Sequence, residues 1–304
     1  MPTIRSVGPS GAKRPSAIGA ARRASLFPHL PRYVPLKEDL EGYVPTSVID
    51  PWGVGALRRR DEGLRVLIGD SGQSRDGALS RRPTRYMTNR VSVFSPVVSE
   101  ILFRVYAPPA PAKVLDPFAG GGTRAFVAAS LGYEYVGLEL REAESDRVNR
   151  VLTSAGLAER SRVFTSDATY GGTLGAVCLR KPFDFILTCP PYGSLERYGG
   201  GPRDLSEMSH EEYLEAMNTV LAWSREAVAP GALSVWCVGN YLDGSVYRDI
   251  RGDLAERAVG TGWVLHDAIV LKMKPGTEAI RLANTLKGRR LVRVHEHALV
   301  LRAA

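Results

Sequence analysis

From about residue 91 onward, short apolar runs alternate with stretches of helical periodicity. That alternation confines the chain to an α/β architecture built on a parallel sheet. Strands are predicted at 113–116, 133–140, 161–166, 183–189, 233–239, 263–273 and 291–301, and helices at 96–106, 123–131, 142–155 and 210–228. The last two strands have only a polar, basic loop between them, so they read as an antiparallel hairpin rather than a crossover unit.

The N-terminal third lacks this regularity. Residues 1–35 hold few large apolar side chains and many Arg, Ser, Gly and Pro, the composition of a disordered basic tail. The composition of residues 1–37 also passes for a transit peptide, although their Gly and Pro work against an amphipathic helix. Residues 36–90 form an irregular extension with apolar islands and the basic clusters Arg58-Arg59-Arg60 and Arg81-Arg82, a candidate DNA contact. The regular domain is expected to span 91–304.

The net charge of +8 favours a polyanionic partner. Three cysteines, Cys178, Cys189 and Cys237, have no C-x-x-C spacing, which argues against a zinc ribbon and for a reducing, cytoplasmic setting. No apolar run approaches the roughly 18 residues of a membrane span, so no membrane partner is expected. No metal site is expected, and nothing sets an oligomeric state.

The segment Asp116-Pro117-Phe118-Ala119-Gly120-Gly121-Gly122-Thr123 follows a strand and opens a helix. Glycines there let the backbone approach a ligand, and a helix start offers free N–H groups. Such a turn also occurs without a ligand, and the spacing of Gly120, Gly122 and Ala125 meets only the looser dinucleotide fingerprint. Two further acids, Glu139 and Asp167, end the next two strands on the same carboxyl edge, where open α/β sheets bind ligands. Acids at strand ends repel a pyrophosphate and suit a positively charged cofactor without phosphate, such as S-adenosylmethionine.

A second constellation follows the strand at 183–189. Cys189-Pro190-Pro191-Tyr192-Gly193 is a rigid turn in which the prolines donate no hydrogen bonds, and it is expected to present Tyr192 as an exposed stacking platform.

Taken together, these segments resemble the amino-methyltransferases of DNA, which make N4-methylcytosine and N6-methyladenine. The 116–123 segment is similar to that family's D-P-F-x-G-x-G-T motif, and Thr188 to Tyr192 to its [DNS]-P-P-[YFW] motif. Ser95-Pro96 resembles the motif before the cofactor loop, and His295 to Leu301 resembles the closing H-E-x-x-L-V-F strand. Cys189 to Gly193 followed by Asp204-Leu205-Ser206 is similar to methylases of phages and mobile elements. The resemblance covers roughly residues 85–304.

It implies a Rossmann-like class I methyltransferase fold, a mostly parallel seven-stranded sheet ending in an antiparallel hairpin, with S-adenosylmethionine as cofactor and DNA as partner. Phe118, Gly120 and Gly122 would line the methionine and sulfonium end, with Asp116 and Thr123 in the same motif. Glu139 would accept from the ribose hydroxyls and Asp167 from the adenine amino group. Cys189 and the Pro190 carbonyl would accept N–H bonds of the target amine, Pro191 would stiffen the turn, and Tyr192 would stack on the flipped base. Cys189 stands where Asp, Asn or Ser is usual. Its size, nearest to Ser, tilts the expectation from adenine N6 toward cytosine N4. A thiol is a weak acceptor, so the same position also supports a catalytically weak nucleic-acid-binding protein. An RNA amino-methyltransferase of the guanine-N2 kind and a small-molecule methyltransferase are further alternatives.

Only 21 residues separate Asp167 from Cys189, which leaves no room for a recognition domain between the motifs. The final hairpin nearly ends the chain. Recognition is therefore expected from residues 1–90, from Arg197 and Tyr198 in the 193–209 loop, or from Lys274, Arg281, Lys287, Arg289 and Arg290 in the 274–290 loop.

Overall fold

The computed structural model describes residues 47–53, 55–67, 94–170, 182–193, 198, 201–273, 282 and 285–304. The 1–35 tail and the Arg81-Arg82 cluster lie outside them, as do Arg197, Lys274 and Arg281.

Residues 113–165 build the first half of the sheet: β2 (Lys113–Asp116), α3 (Thr123–Leu131), β3 (Glu134–Glu139), α4 (Glu142–Ser154) and β4 (Ser161–Thr165). The second half comprises β5 (Phe183–Thr188), α5 (His210–Ala227), β6 (Val228–Val238), the small hairpin β7 (Tyr241–Asp243) and β8 (Val246–Arg248), α6 (Ile250–Gly260), β9 (Trp263–Lys272) and β10 (His295–Ala303). Before them come β1 (Val48–Ile49), α1 (Gly55–Leu67) and α2 (Pro96–Tyr106). The sheet order is β1-β9-β10-β6-β5-β2-β3-β4. Strands β6 through β4 run parallel, and β10 is antiparallel to both β6 and β9. The sheet is Rossmann-like and mostly parallel, and it closes with an antiparallel pair, as the sequence predicts. Strand β1 extends it to eight strands by pairing in parallel with β9.

Side-chain alternation along the strands fills two cores, one on each face. Val114, Phe185, Leu187, Val235, Cys237, Ala298 and Val300 face α2, α3 and α4. Leu115, Ile186, Trp236, Val238, Leu299 and Leu301 face α5 and α6. Among the described residues, no helix is long and apolar enough to cross a membrane.

Helix starts follow from local chemistry. Ser95 caps α2 by accepting from the Val98 amide at 3.2 Å, with Pro96 at the first helical position. Ser209 and Glu212 form a capping box on α5.

Residues 48–67, which carry no period in the sequence reading, are built into this body. Leu57, Asp61 and Leu64 share the buried face of α1, and the Asp61 carboxylate accepts from Ser95 Oγ and from Arg65 Nε. Glu100 of α2, fully buried, binds Arg60 and Arg104. The helical stripe of α1 is masked in sequence because its middle position is an acid buried with its partners.

Candidate active site

A cleft of about 600 Å³ opens at the carboxyl edge of β2, β3, β4 and β5. Its volume lies within the range of about 300–1,000 Å³ common for small-ligand sites. Phe118, Gly120, Thr123, Glu139, Asp167, Cys189, Pro191, Tyr192 and Tyr198 all line it, so the glycine turn and the Cys-Pro-Pro-Tyr turn share one cavity.

Asp116 corrects the sequence reading. A strand-end acid is expected to present charge to a cofactor, but its carboxylate is fully buried and off the lining. Oδ2 accepts from Arg124 Nε and Tyr135 Oη, each at 2.6 Å. Oδ1 accepts from the Phe118 amide at 3.0 Å and Thr188 Oγ1 at 2.7 Å. Burial opposes the charge on Arg124, but the Asp116 carboxylate beside it outweighs that and raises its pKa above the ordinary value. Burial, and next Asp116, raise the Tyr135 phenol well above its usual range. The acid therefore ties the ends of β2 and β5, a side chain from the start of β3 and the first turn of α3 into one polar knot, and its role is to shape the loop.

Gly122 is also structural. It sits at φ +80°, and a Cβ there would lie 2.6 Å from Val148 Cγ1 of α4, so no other residue fits without displacing the helix. Gly120, Gly121 and Thr123 carry the lining. The Thr123 hydroxyl is buried and has no hydrogen-bond partner among the described residues. A buried hydroxyl left in that state costs about 1–3 kcal/mol, which a ligand bond would recover.

Glu139 ends β3 on the lining. Its Oε1 accepts from Arg141 N at 3.0 Å and Arg141 Nε at 3.1 Å. Both bonds fall on one oxygen, which orients the other. Asp167 Oδ1 is held by the Thr169 amide and hydroxyl at 2.9 and 2.6 Å, while Oδ2 lies 3.9 Å from the exposed Arg203.

The Cys-Pro-Pro-Tyr turn differs from expectation in two respects. Tyr192 is not exposed: it is 8% accessible, packs against Gly239 and donates from Oη to Glu296 Oε1 at 2.6 Å. Its ring borders the cleft as a fixed wall. Pro190 is buried off the lining. Tyr198 borders the cleft, with the Arg141 guanidinium 5.7 Å from its ring centre. Its amide donates to Ser206 Oγ at 3.3 Å, and Asp204 accepts from both the Ser206 amide and hydroxyl. The Asp204-Leu205-Ser206 segment thus forms a capped turn against the cleft. Lys287, Arg289 and Arg290 are exposed and lie off this cleft.

Several lining residues escaped the sequence reading as site residues: Trp52, Glu62, Arg65, Phe94, Arg141, Arg203, Lys272 and Glu296. Trp52 Nε1 donates to the Lys272 carbonyl at 3.1 Å, and Lys272 Nζ donates to Asp50 at 2.6 Å, which fastens the N-terminal segment to the cleft rim. Only Glu296 carried a signal, as the acid of the closing His-Glu-His strand.

Sheet order, glycine turn and edge cleft together define a Rossmann-like α/β protein with a small-ligand cleft at the carboxyl edge of its sheet. Comparison with solved structures finds several proteins of distant similarity. TrmN from Thermus thermophilus is 22% identical over 69% of this chain and 49% of its own, with a TM-score of 0.49, so this chain spans about half its length. The O-methyltransferase of a trans-AT PKS multienzyme from Brevibacillus brevis, in complex with S-adenosyl-L-homocysteine, is 12% identical over 69% of this chain and 72% of its own, at 0.46. A TehB-like SAM-dependent methyltransferase from Corynebacterium glutamicum is 16% identical over 64% and 82%, at 0.40. No family model and no curated protein matches the sequence. At such distances the likeness concerns the fold, and the chemistry of this chain stands on its own residues.

Proposed function

We propose that the cleft binds S-adenosylmethionine and that the protein methylates an exocyclic amino group of a DNA base, cytosine N4 ahead of adenine N6. The observation that carries the reading is the meeting, in one cleft, of the glycine turn with its unsatisfied Thr123 hydroxyl, the strand-end acids Glu139 and Asp167, and the Cys189 to Tyr192 turn. Glu139 would bind the ribose hydroxyls through Oε2, Asp167 the adenine amino group, and Phe118, Gly120 and Thr123 the methionine end. When bound, the cofactor supplies an electrophilic methyl group.

The chain's own residues orient and deprotonate the amine. Its lone pair is delocalised into the base, so acceptors around its N–H bonds must draw the nitrogen toward a tetrahedral shape. Of this turn's two expected acceptors, Pro190 lies off the lining and only the Cys189 thiol, a weak acceptor, borders the cleft. Glu296 compensates. Its carboxylate borders the same cleft and is oriented by the Tyr192 hydroxyl. As the nitrogen gains a methyl group it loses a proton, and Glu296 is the group to receive it. The Tyr192 ring walls the base on one side, and positioning supplies much of the acceleration.

The test is transfer of labelled methyl from S-adenosylmethionine to duplex DNA, with RNA and free nucleosides in parallel, and identification of the product by mass spectrometry. N4-methylcytosine in DNA is the expected result, and transfer to RNA alone or to neither nucleic acid overturns the reading. Glu296→Gln should slow transfer by on the order of 10²-fold with cofactor affinity retained.

A further inference from the structure

A second cleft, of about 420 Å³, lies on the other side of β10 from the first. Glu296 borders the main cleft, while its neighbours His295 and His297 border this one, as strand alternation requires. Asn240, Tyr247, Asp249 and Arg251 complete its polar lining. The chain links the two clefts directly: Gly239 packs against Tyr192, and the next residue, Asn240, enters the second cleft. Just beyond, Tyr241 of β7 lies against Gly193 of the catalytic turn. The β7–β8 hairpin therefore begins at the substrate end of the main cleft.

This hairpin presents an aromatic ring with a cation beside it. Tyr247 is 51% exposed, and the Arg293 guanidinium lies 5.4 Å from its ring centre. The Tyr247 hydroxyl accepts from Asn240 Nδ2 at 2.8 Å, and Asn240 Nδ2 also donates to Asp249 at 2.7 Å, so the ring is held in place. Arg290 reaches the tip of the hairpin and donates to the Ser245 carbonyl at 2.7 Å. Asp249 is the acid on the lining, and Arg251 is 4.0 Å from it. Burial, and then the neighbouring His295 and Arg251, hold His297 below its ordinary pKa, against the opposing pull of Asp249.

We propose that this second cleft and the β7–β8 hairpin bind a nucleotide flanking the target base in the DNA strand, with the Tyr247 ring stacking on its base and Arg251 and Arg293 contacting phosphate. The proposal rests on the reading of the main cleft as a DNA-base methylation site. A strand that delivers a base past Tyr192 crosses the Gly239–Asn240 edge onto the hairpin. Base–aromatic stacking combined with guanidinium–phosphate pairing is the general chemistry of single-strand binding.

The test uses the full chain and a fluorescent DNA duplex with an extruded or mismatched base, with binding measured against salt and S-adenosylmethionine affinity measured separately. Tyr247→Ala should weaken DNA binding about ten-fold or more, while Tyr247→Phe, which keeps the ring, should stay near wild type. Arg251→Ala and Arg293→Ala should each lower the salt slope by roughly 0.9, because each leaves one phosphate without its guanidinium. Cofactor affinity should be unchanged in all four. Unchanged DNA affinity and slope in the Ala variants, or Tyr247→Phe as weak as Tyr247→Ala, would overturn the hairpin site while leaving the main reading intact. A wild-type protein that binds cofactor but neither binds nor methylates DNA would overturn the underlying reading instead.

Discussion

The two halves of the main cleft are built by different means. On the cofactor side, neighbouring strands of the sheet are tied by a buried polar knot of Asp116, Arg124, Tyr135 and Thr188, from β2, α3, β3 and β5. On the substrate side, the wall is collected from distant segments: Cys189 and Tyr192 after β5, Gly239 after β6, Glu296 on β10, and Trp52 and Phe94 from before the first strand of the motif region. The first half is stabilised by charge that cannot be left unpaired. The second is held by ring packing and hydrogen bonds between distant segments, such as that from Tyr192 to Glu296. The cofactor half should therefore fail by unfolding, and the substrate half by losing rate while remaining folded.

Arg124→Leu should produce the largest effect. It strands the buried Asp116 carboxylate, and breaking such a pair costs about 3–5 kcal/mol of folding stability. Urea unfolding measures this directly, and a loss under about 1 kcal/mol would erase the contrast between the halves. Gly239→Ala comes next. A Cβ there would lie 2.8 Å from Tyr192 Cε2, so the ring must shift. A displacement of that kind slows reaction by on the order of a hundred-fold, with cofactor affinity unchanged by calorimetry. Parallel loss of cofactor binding would mean that the two halves are not separable.

Cys189→Ser should have the smallest effect. Serine is close in size and a better acceptor, so the methyl-transfer rate should hold or rise, and Cys189→Ala should lower it modestly. If the serine variant is dead and the alanine variant active, the thiol is a packing residue and the preference for cytosine N4 loses its support.

The contrast also explains what was legible in the sequence. Seven of the eight strands of the sheet and most of its helices fall within a few residues of their expected positions, because period-2 and period-3.6 apolar patterns are local. Helices α3 and α2 match at both ends, since Gly122 and Gly132 flank one and Ser95-Pro96 and Pro108 bracket the other. Helix α1 was missed because Asp61 interrupts its apolar stripe and is satisfied by Ser95, 34 residues away. Helix α6 has a stripe at Ile250, Leu254 and Ala258, but Gly252 and the glycines that follow it blur the pattern. The β7–β8 hairpin is two three-residue strands, too short for any period to register.

For the site, the sequence by itself determined which residues end the strands, and so which acids, glycines and prolines stand at the carboxyl edge of the sheet. Strand position along the chain dictates that edge. Only the tertiary structure decided which way those side chains face. Asp116 turns inward because Arg124, in the first turn of its helix, reaches back to neutralise it. Tyr192 is walled in because Glu296, 104 residues later, accepts its hydroxyl. Burial of a charge or a phenol depends on whether a partner arrives from elsewhere in the fold, and local sequence carries no record of that arrival.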